Sequence, residues 1–388
     1  MSKQHTEHLV QQIAPKLLQM KKQTTAAQLF LKINSIKNAL DALIDAKDWS
    51  KAKRVAAEVD PRYEEYVDNC YKDYLRSEGN TSELADIDVI AALDLYAEKN
   101  QWEKCLDMAQ KQGMKVLHKY VALLAIKLIK EKKEQKALSL YVKYGIPAIT
   151  QNFSIYRHIV SAIFAMQDTF SYEAYSLWSS LRNILFQLCQ SLQKIGSDES
   201  DEFENFLTIA HYYSNRSACL GHSSLERQAA KISVSLLRYA DVIPADKAFY
   251  EAGIAARGIG WDNIAFVCLN HLMDIYEAIE EGGSEVDNTD FQDTDIPSNI
   301  LIPSEPSITE AQHEEAKEWV LSASMDQSID QFLPLDERKM FESSLISHDG
   351  EHYQPCIVTG YPVIRHKVDF GRSNKVANKD DWNKFLMG

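Results

Sequence analysis

The stretch Ala92–Gly113, ALDLYAEKNQWEKCLDMAQKQG, constrains the fold more than any other part of this chain. Apolar residues recur at helical spacing at Ile90, Leu93 and Ala97, and again at Trp102, Leu106 and Ala109. Asn100-Gln101 marks a tight turn between the two runs, and Gly113 stands where a left-handed residue closes a helix. A hairpin of two short helices buries one face internally and leaves another apolar stripe bare. A neighbouring hairpin must cover that stripe, and repetition of the need produces a superhelical stack.

Related stretches extend the pattern. Ala39–Glu58, ALDALIDAKDWSKAKRVAAE, sets Trp49 on Trp102 at a separation of 53 residues. Val121–Glu131 and Gln135–Tyr144 form a further pair, with Lys136-Ala137-Leu138 on Lys104-Cys105-Leu106, 32 residues away. That offset is close to the tetratricopeptide period of about 34. Longer, more aromatic helices are expected from Asn152 to Ile195, then an acidic loop at Gly196–Glu202, then helices at Phe203–Asn215 and Ser224–Tyr239. Asp246–Ile279 reads as one more hairpin, turning at Gly258 and Gly260, with Trp261 in the place of Trp49 and Trp102. The expected fold over residues 1–279 is therefore an all-α, tetratricopeptide-like solenoid, with Trp49, Trp102 and Trp261 as packing plugs.

The texture changes at Glu280. Residues 280–306 are acidic and hold no Lys or Arg, which suits a solvated, partly extended linker, with docking of Val286, Phe291 and Ile296 onto a basic or apolar groove as the alternative. Residues 307–346 read as a helical connector. Ser307-Ile-Thr-Glu310 is a capping-box pattern opening a helix to about Ser322, with Ala316, Trp319 and Val320 inward. A second helix is expected from Pro334-Leu-Asp336 to about Ile346. Residues 347–388 suit a small α+β domain: a hairpin of Cys356–Gly360 and Tyr361–Ile364, a strand at Lys367–Phe370, and a helix at Asn378–Met387 held by Trp382. The chain starts mid-pattern in a helical segment, so a piece of a longer protein is expected.

Composition limits the chemistry. A formal net charge of −14 makes a poor phosphate-backbone binder, so no nucleic-acid partner is expected. No apolar run is long enough to span a membrane. Six unpaired cysteines, five inside helical patterns, fit buried side chains in a reducing compartment. No HExxH, GxSxG or phosphate-binding loop occurs, so neither catalysis nor a cofactor is expected. His211 reads as a satisfied helical residue. His348, His352, Cys356 and His366 have zinc-capable spacing, but without paired cysteines a metal-free domain is the expectation. The basic residues Arg365, Lys367, Arg372, Lys375, Lys379 and Lys384 read as a solvated cluster.

Several strings carry a family likeness: NQWEKC (Asn100–Cys105), LHKYVALL (Leu117–Leu124), IAHYYSNRSA (Ile209–Ala218), AFYEAGIAARGIGWDN (Ala248–Asn263), DFQDTDIP (Asp290–Pro297) and KVANKDDWNKFLM (Lys375–Met387). They resemble the C-terminal part of the intraflagellar transport protein 172 family. The resemblance implies a ciliary scaffold subunit that binds other transport proteins of the B complex, with the A complex a second candidate. It implies placement at the cilium or flagellum and basal body, on the cytoplasmic side. It also implies a C-terminal domain like a metal-free RING relative, the U-box. In such a domain the loop holding Cys356, Val358, Thr359, Tyr361, Pro362 and Val363 would meet partners. Ubiquitin binding or ubiquitin-ligase activity through that loop, with ubiquitin or a ubiquitin-conjugating enzyme as partner, is the alternative function.

Overall fold

The computed structural model describes residues 3–283, 285–347 and 349–387. These are mostly helical, and the chain divides into two compact units, Met1–Tyr120 and Val121–Gly388.

In the first unit the helices are α1 (Lys3–Gln19), α2 (Gln23–Lys32), α3 (Ile36–Asp45), α4 (Trp49–Val59), α5 (Glu64–Glu78), α6 (Thr81–Ile87), α7 (Val89–Glu98) and α8 (Trp102–Lys111), and α9 (Met114–Lys130) starts within it. A common turn joins several pairs. Lys21, Asn34, Lys47 and Asn100 each take a left-handed backbone, with φ between 56° and 60°. The next residue donates its N–H five residues back, as in Asp48 to Leu43 O (3.0 Å) and Gln101 to Tyr96 O (2.8 Å). That bond satisfies a helix-end carbonyl that would otherwise be orphaned. Small residues bring the helices together: Ala39, Ala52 and Ala56 are buried around Leu40. In α7 the inward residues are Ala92, Leu93, Leu95 and Tyr96. Ile90, expected on that face, is exposed. The helix begins only at Val89, capped by the Asp88 carboxylate on the Ala91 N–H (3.0 Å), and Ile90 takes the outward position of its first turn.

The second unit contains α10 (Glu134–Tyr144), α11 (Phe153–Phe164), α12 (Tyr175–Ile195), α13 (Ser200–Leu220), α14 (Glu226–Leu236), α15 (Ala245–Gly258), α16 (Asp262–Glu281), α17 (Glu310–Ser324), the strands β1 (Lys367–Asp369) and β2 (Val376–Asn378), and α18 (Lys379–Met387). Consecutive pairs α12/α13, α13/α14, α14/α15 and α15/α16 pack against one another. At its centre the Trp178 and Tyr213 rings stack at 4.2 Å. Arg216 and Glu251 pair at 2.7 Å in full burial. The Lys247 ammonium donates to the carbonyls of Phe164 (2.8 Å) and Met166 (2.6 Å), tying the end of α11 to α15.

Four expectations need correction. The acidic segment 280–306 is not a free tether. Its Phe291 is buried against Phe249 and His271 (rings 5.2 and 5.0 Å away), Ile296 is buried, and Leu301 bonds Ala240 O (2.6 Å) and Ala245 N (2.9 Å). The capping box of α17 lies two residues later than expected, on Thr309 and Gln312. Ser307 is drawn away because its N–H donates to the buried Asp246 carboxylate at 2.5 Å. No helix runs from Pro334 to Ile346. The Arg338 guanidinium donates to the carbonyls of Ser344, Phe341 and Glu342, and the chain folds into turns around it. Trp261 precedes α16 and follows the left-handed Gly260 directly, whereas Trp49 and Trp102 stand one residue further on, inside their helices.

Candidate functional site

The loop expected to meet partners is built around a tight turn. The Cys356 N–H donates to Tyr361 O (2.8 Å), the Gly360 N–H to Cys356 O (2.7 Å), and the Val363 N–H to Gln354 O (2.9 Å). Ile357 N–H reaches Val376 O (2.8 Å), and the Asn378 N–H reaches the Cys356 Sγ (3.3 Å). These bonds attach the turn to β2, which pairs antiparallel with β1 in the register Val368 opposite Ala377. The strand expected at Lys367–Phe370 is thus present. Its partner Val376–Asn378 was not foreseen.

Two helices hold this turn from below. From α13, His211 Nε2 bonds Ile357 O at 2.7 Å, and Asn215 donates to Ile357 O (3.2 Å) and Val358 O (3.3 Å). Because a carbonyl only accepts, His211 Nε2 carries the hydrogen. Burial pushes the His211 pKa down against the hydrogen bond to Ile357, which raises it, and the neighbouring Arg182 and Lys375 charges add to the lowering, so the site favours the neutral ring. The Arg238 guanidinium, just past α14, donates to Gly360 O (2.5 Å) and Ser343 O (3.3 Å), and lies 3.6 Å from Asp295. Asp381 at the start of α18 is buried. It accepts from Lys231 Nζ (3.0 Å), Gln228 Nε2 (3.4 Å) and Thr359 Oγ1 (3.2 Å). Gly360, at φ +76°, sits so close to α14 that a Cβ there would lie 2.7 Å from Ser235 Cβ.

Cys356, Val358, Thr359, Tyr361 and Pro362 are therefore buried, and Val363 is half-buried. The residues nominated to meet a partner face the chain's own helices. The Tyr361 hydroxyl donates to Glu342 at 2.7 Å, and burial raises its pKa well above the ordinary tyrosine value. Of the zinc-capable residues, His352 and His366 are exposed and Cys356 is buried, while His348 lies outside the described residues. No metal-ligating cluster occurs among the described residues.

All five nominated tryptophans are half-buried. Trp49 lies against Tyr71 (4.9 Å) and Tyr74 (5.2 Å), and Trp382 meets Phe370 edge-on at 4.8 Å. The Arg227 guanidinium covers Trp261 at 5.3 Å, and that of Arg257 covers Trp319 at 5.7 Å. Trp102 opens α8. Reasoning from the residues missed the fully buried Trp178. His211 is satisfied, as expected, but its partner Ile357 and the other anchors were missed, though a signal existed. Gln228, Lys231, Ser235 and Arg238 recur at spacings of three and four, which is a polar stripe on one helical face, and His211 and Asn215 are four apart.

Comparison with known proteins places these features in a lineage. No protein-family model matches the chain. The zebrafish (Danio rerio) protein named intraflagellar transport protein 172 homolog is 51% identical over 380 residues, 97% of this chain. The chain is a relative of intraflagellar transport protein 172, matching its C-terminal region. The human and mouse homologs of that name are each 49% identical over 389 residues, 99% of this chain. The chain spans 22% of the length of each of these relatives. No helix among the described residues is long and apolar enough to cross a membrane.

Proposed function

We propose that the chain is a non-catalytic interaction segment of an intraflagellar transport protein, acting as a scaffold for other B-complex, and secondarily A-complex, components at the cilium or flagellum and its basal body. The observation that carries this reading is the 51% identity to a named transport protein across almost the whole chain. The packed helical pairs support it, since such stacks offer long exposed surfaces for other proteins. The reading includes the tetratricopeptide-like character of the pairs and the U-box-like character of the C-terminal segment. The burial of Cys356, Val358, Thr359, Tyr361 and Pro362 argues against the ubiquitin alternative, because a partner meeting these side chains would have to lift the turn off His211, Asn215 and Arg238, whereas Ile357 stays half-open to one side.

The test is a binding titration of the purified chain against reconstituted transport B complex, in parallel with ubiquitin and a ubiquitin-charged conjugating enzyme. Saturable binding to the complex, with neither ubiquitin binding nor discharge of the enzyme, is the expected result. Discharge of the enzyme without binding to the complex would reverse the assignment.

A further inference from the structure

A groove of about 500 Å³ lies between α12, α13 and the segment running into the turn at Pro355–Ile357. Phe186 from α12, Leu207 from α13 and Ile357 form its apolar surface. Phe186 is 51% exposed and lies on the other side of α12 from the buried Leu181, Leu185 and Leu188. An aromatic side chain left in water beside a concavity forgoes the stabilisation that burial supplies, so a ligand that covers it gains that free energy.

The rim is cationic. Arg182 and Lys375 line the groove, and no Asp or Glu lines it. Arg182 donates to Ser214 Oγ (3.3 Å) and Asn183 Oδ1 (3.4 Å), both neutral acceptors. Among the described residues no carboxylate forms an ion pair with either cation, in a chain whose net charge is −14. The charge of this patch is opposite to that of the chain as a whole. His211, at the base, favours the neutral form and is committed to Ile357 O, so it neither competes for an anion nor repels one.

We propose that this groove binds an acidic peptide segment of a partner protein, one that places a large apolar side chain on Phe186 and Ile357 and a nearby carboxylate between Arg182 and Lys375. The inference rests on the interaction reading above and names the chemistry of one partner. Apolar burial supplies the affinity, and the two cations select acidic sequences over neutral or basic ones. The occupant also leans on the Pro355–Ile357 segment, so its binding tightens the seat of the turn.

A random peptide library displayed on phage, panned on the whole chain and counter-selected on Phe186→Ala, tests this. Enriched sequences should carry Phe, Leu or Trp within one helical turn of Asp or Glu. A synthetic peptide of the enriched sequence should bind Arg182→Glu/Lys375→Glu about tenfold more weakly than the parent. Phe186 and Lys375 are exposed and Arg182 is half-buried, and unchanged circular dichroism and melting show that the variants fold. Enrichment of uncharged or basic sequences, no enrichment, or unchanged affinity for the charge-reversed variant overturns the proposal. Binding of phosphatidylserine vesicles that depends on Phe186, without peptide enrichment, overturns it in favour of a lipid surface. Transport-complex binding that survives Phe186→Ala, with no peptide selected, removes the groove and leaves the scaffold reading standing.

Discussion

Replacing Gly360 by alanine tests how closely the C-terminal turn sits on the helices. The residue has φ +76°, and a Cβ would lie 2.7 Å from Ser235 Cβ, 2.8 Å from Ser235 Oγ and 3.1 Å from Arg238 Nη2. The left-handed backbone costs an alanine about 1 kcal/mol. The overlap with Ser235, a residue of a packed helix, adds about 1–3 kcal/mol. Gly196, which closes α12 at φ +64°, has nothing within 4 Å of its Cβ position. Gly196→Ala therefore incurs the backbone term alone, at a site away from the turn, whereas in Gly360→Ala the close approach adds about 2 kcal/mol to that term. Local opening is the relevant event, because the turn can lift without unfolding the helices. Native-state hydrogen exchange of peptides covering residues 355–362 is the assay. Gly360→Ala should lower their protection by about thirtyfold or more, and Gly196→Ala should leave it unchanged. Equal protection in both variants would show that the turn is not seated against Ser235.

Two buried groups and one helix cap give three further outcomes. Arg216→Ala leaves Glu251 charged and unpaired in the interior and should cost about 3–5 kcal/mol in chemical denaturation, whereas Arg216→Met/Glu251→Met should cost far less than the sum of the two single changes. Burial pushes Lys247 down from 10.5 to about 8, so between those values the unfolded chain holds a proton that the folded chain has released. The penalty is complete below about pH 8 and is relieved as pH rises, so stability should increase by about 2–3 kcal/mol from pH 8 to 10, and denaturation of Lys247→Met should lack that rise. Asp88→Ala removes the cap of α7 and should lower the stability of the first unit by about 1 kcal/mol, while Asp88→Asn, which keeps an acceptor, should not; exchange rates of the α7 amides report both.

The helical hairpins were legible because their apolar spacing is local information. Leu93, Leu106 and Ala109 lie inward as their period requires. Corrections cluster where turns and side-chain bonds, rather than apolar period, decide. Gly260 supplies the left-handed turn one position nearer to its tryptophan than Lys47 or Asn100 does, so aligning on tryptophan put Trp261 out of step. The stretch 334–346 has helical composition, but the Arg338 side chain takes the carbonyls that a helix would use. The acidic segment reads first as solvated because its charges outnumber its apolar residues, but the docking alternative on Phe291 and Ile296 is the one that holds, with Leu301 bonded beside them. The hairpin expected of Cys356–Gly360 and Tyr361–Ile364 is instead a turn at residues 357–359 with no strand in either segment, and its orientation was not visible. That orientation depends on polar residues of α13 and α14, and a polar residue on a helix reads as a solvent-facing one until its partner is known.

Thiol labelling bears most directly on the central claim, that the chain's own helices cover the loop from Cys356 to Val363. The six cysteines are free; Cys356 and Cys219 are fully buried, and Cys70 is half-buried. Under native conditions, with each site followed by peptide mass spectrometry, Cys356 should react with iodoacetamide as slowly as Cys219 and far more slowly than Cys70. Labelling of Cys356 as fast as that of Cys70 would show an open loop and contradict the account.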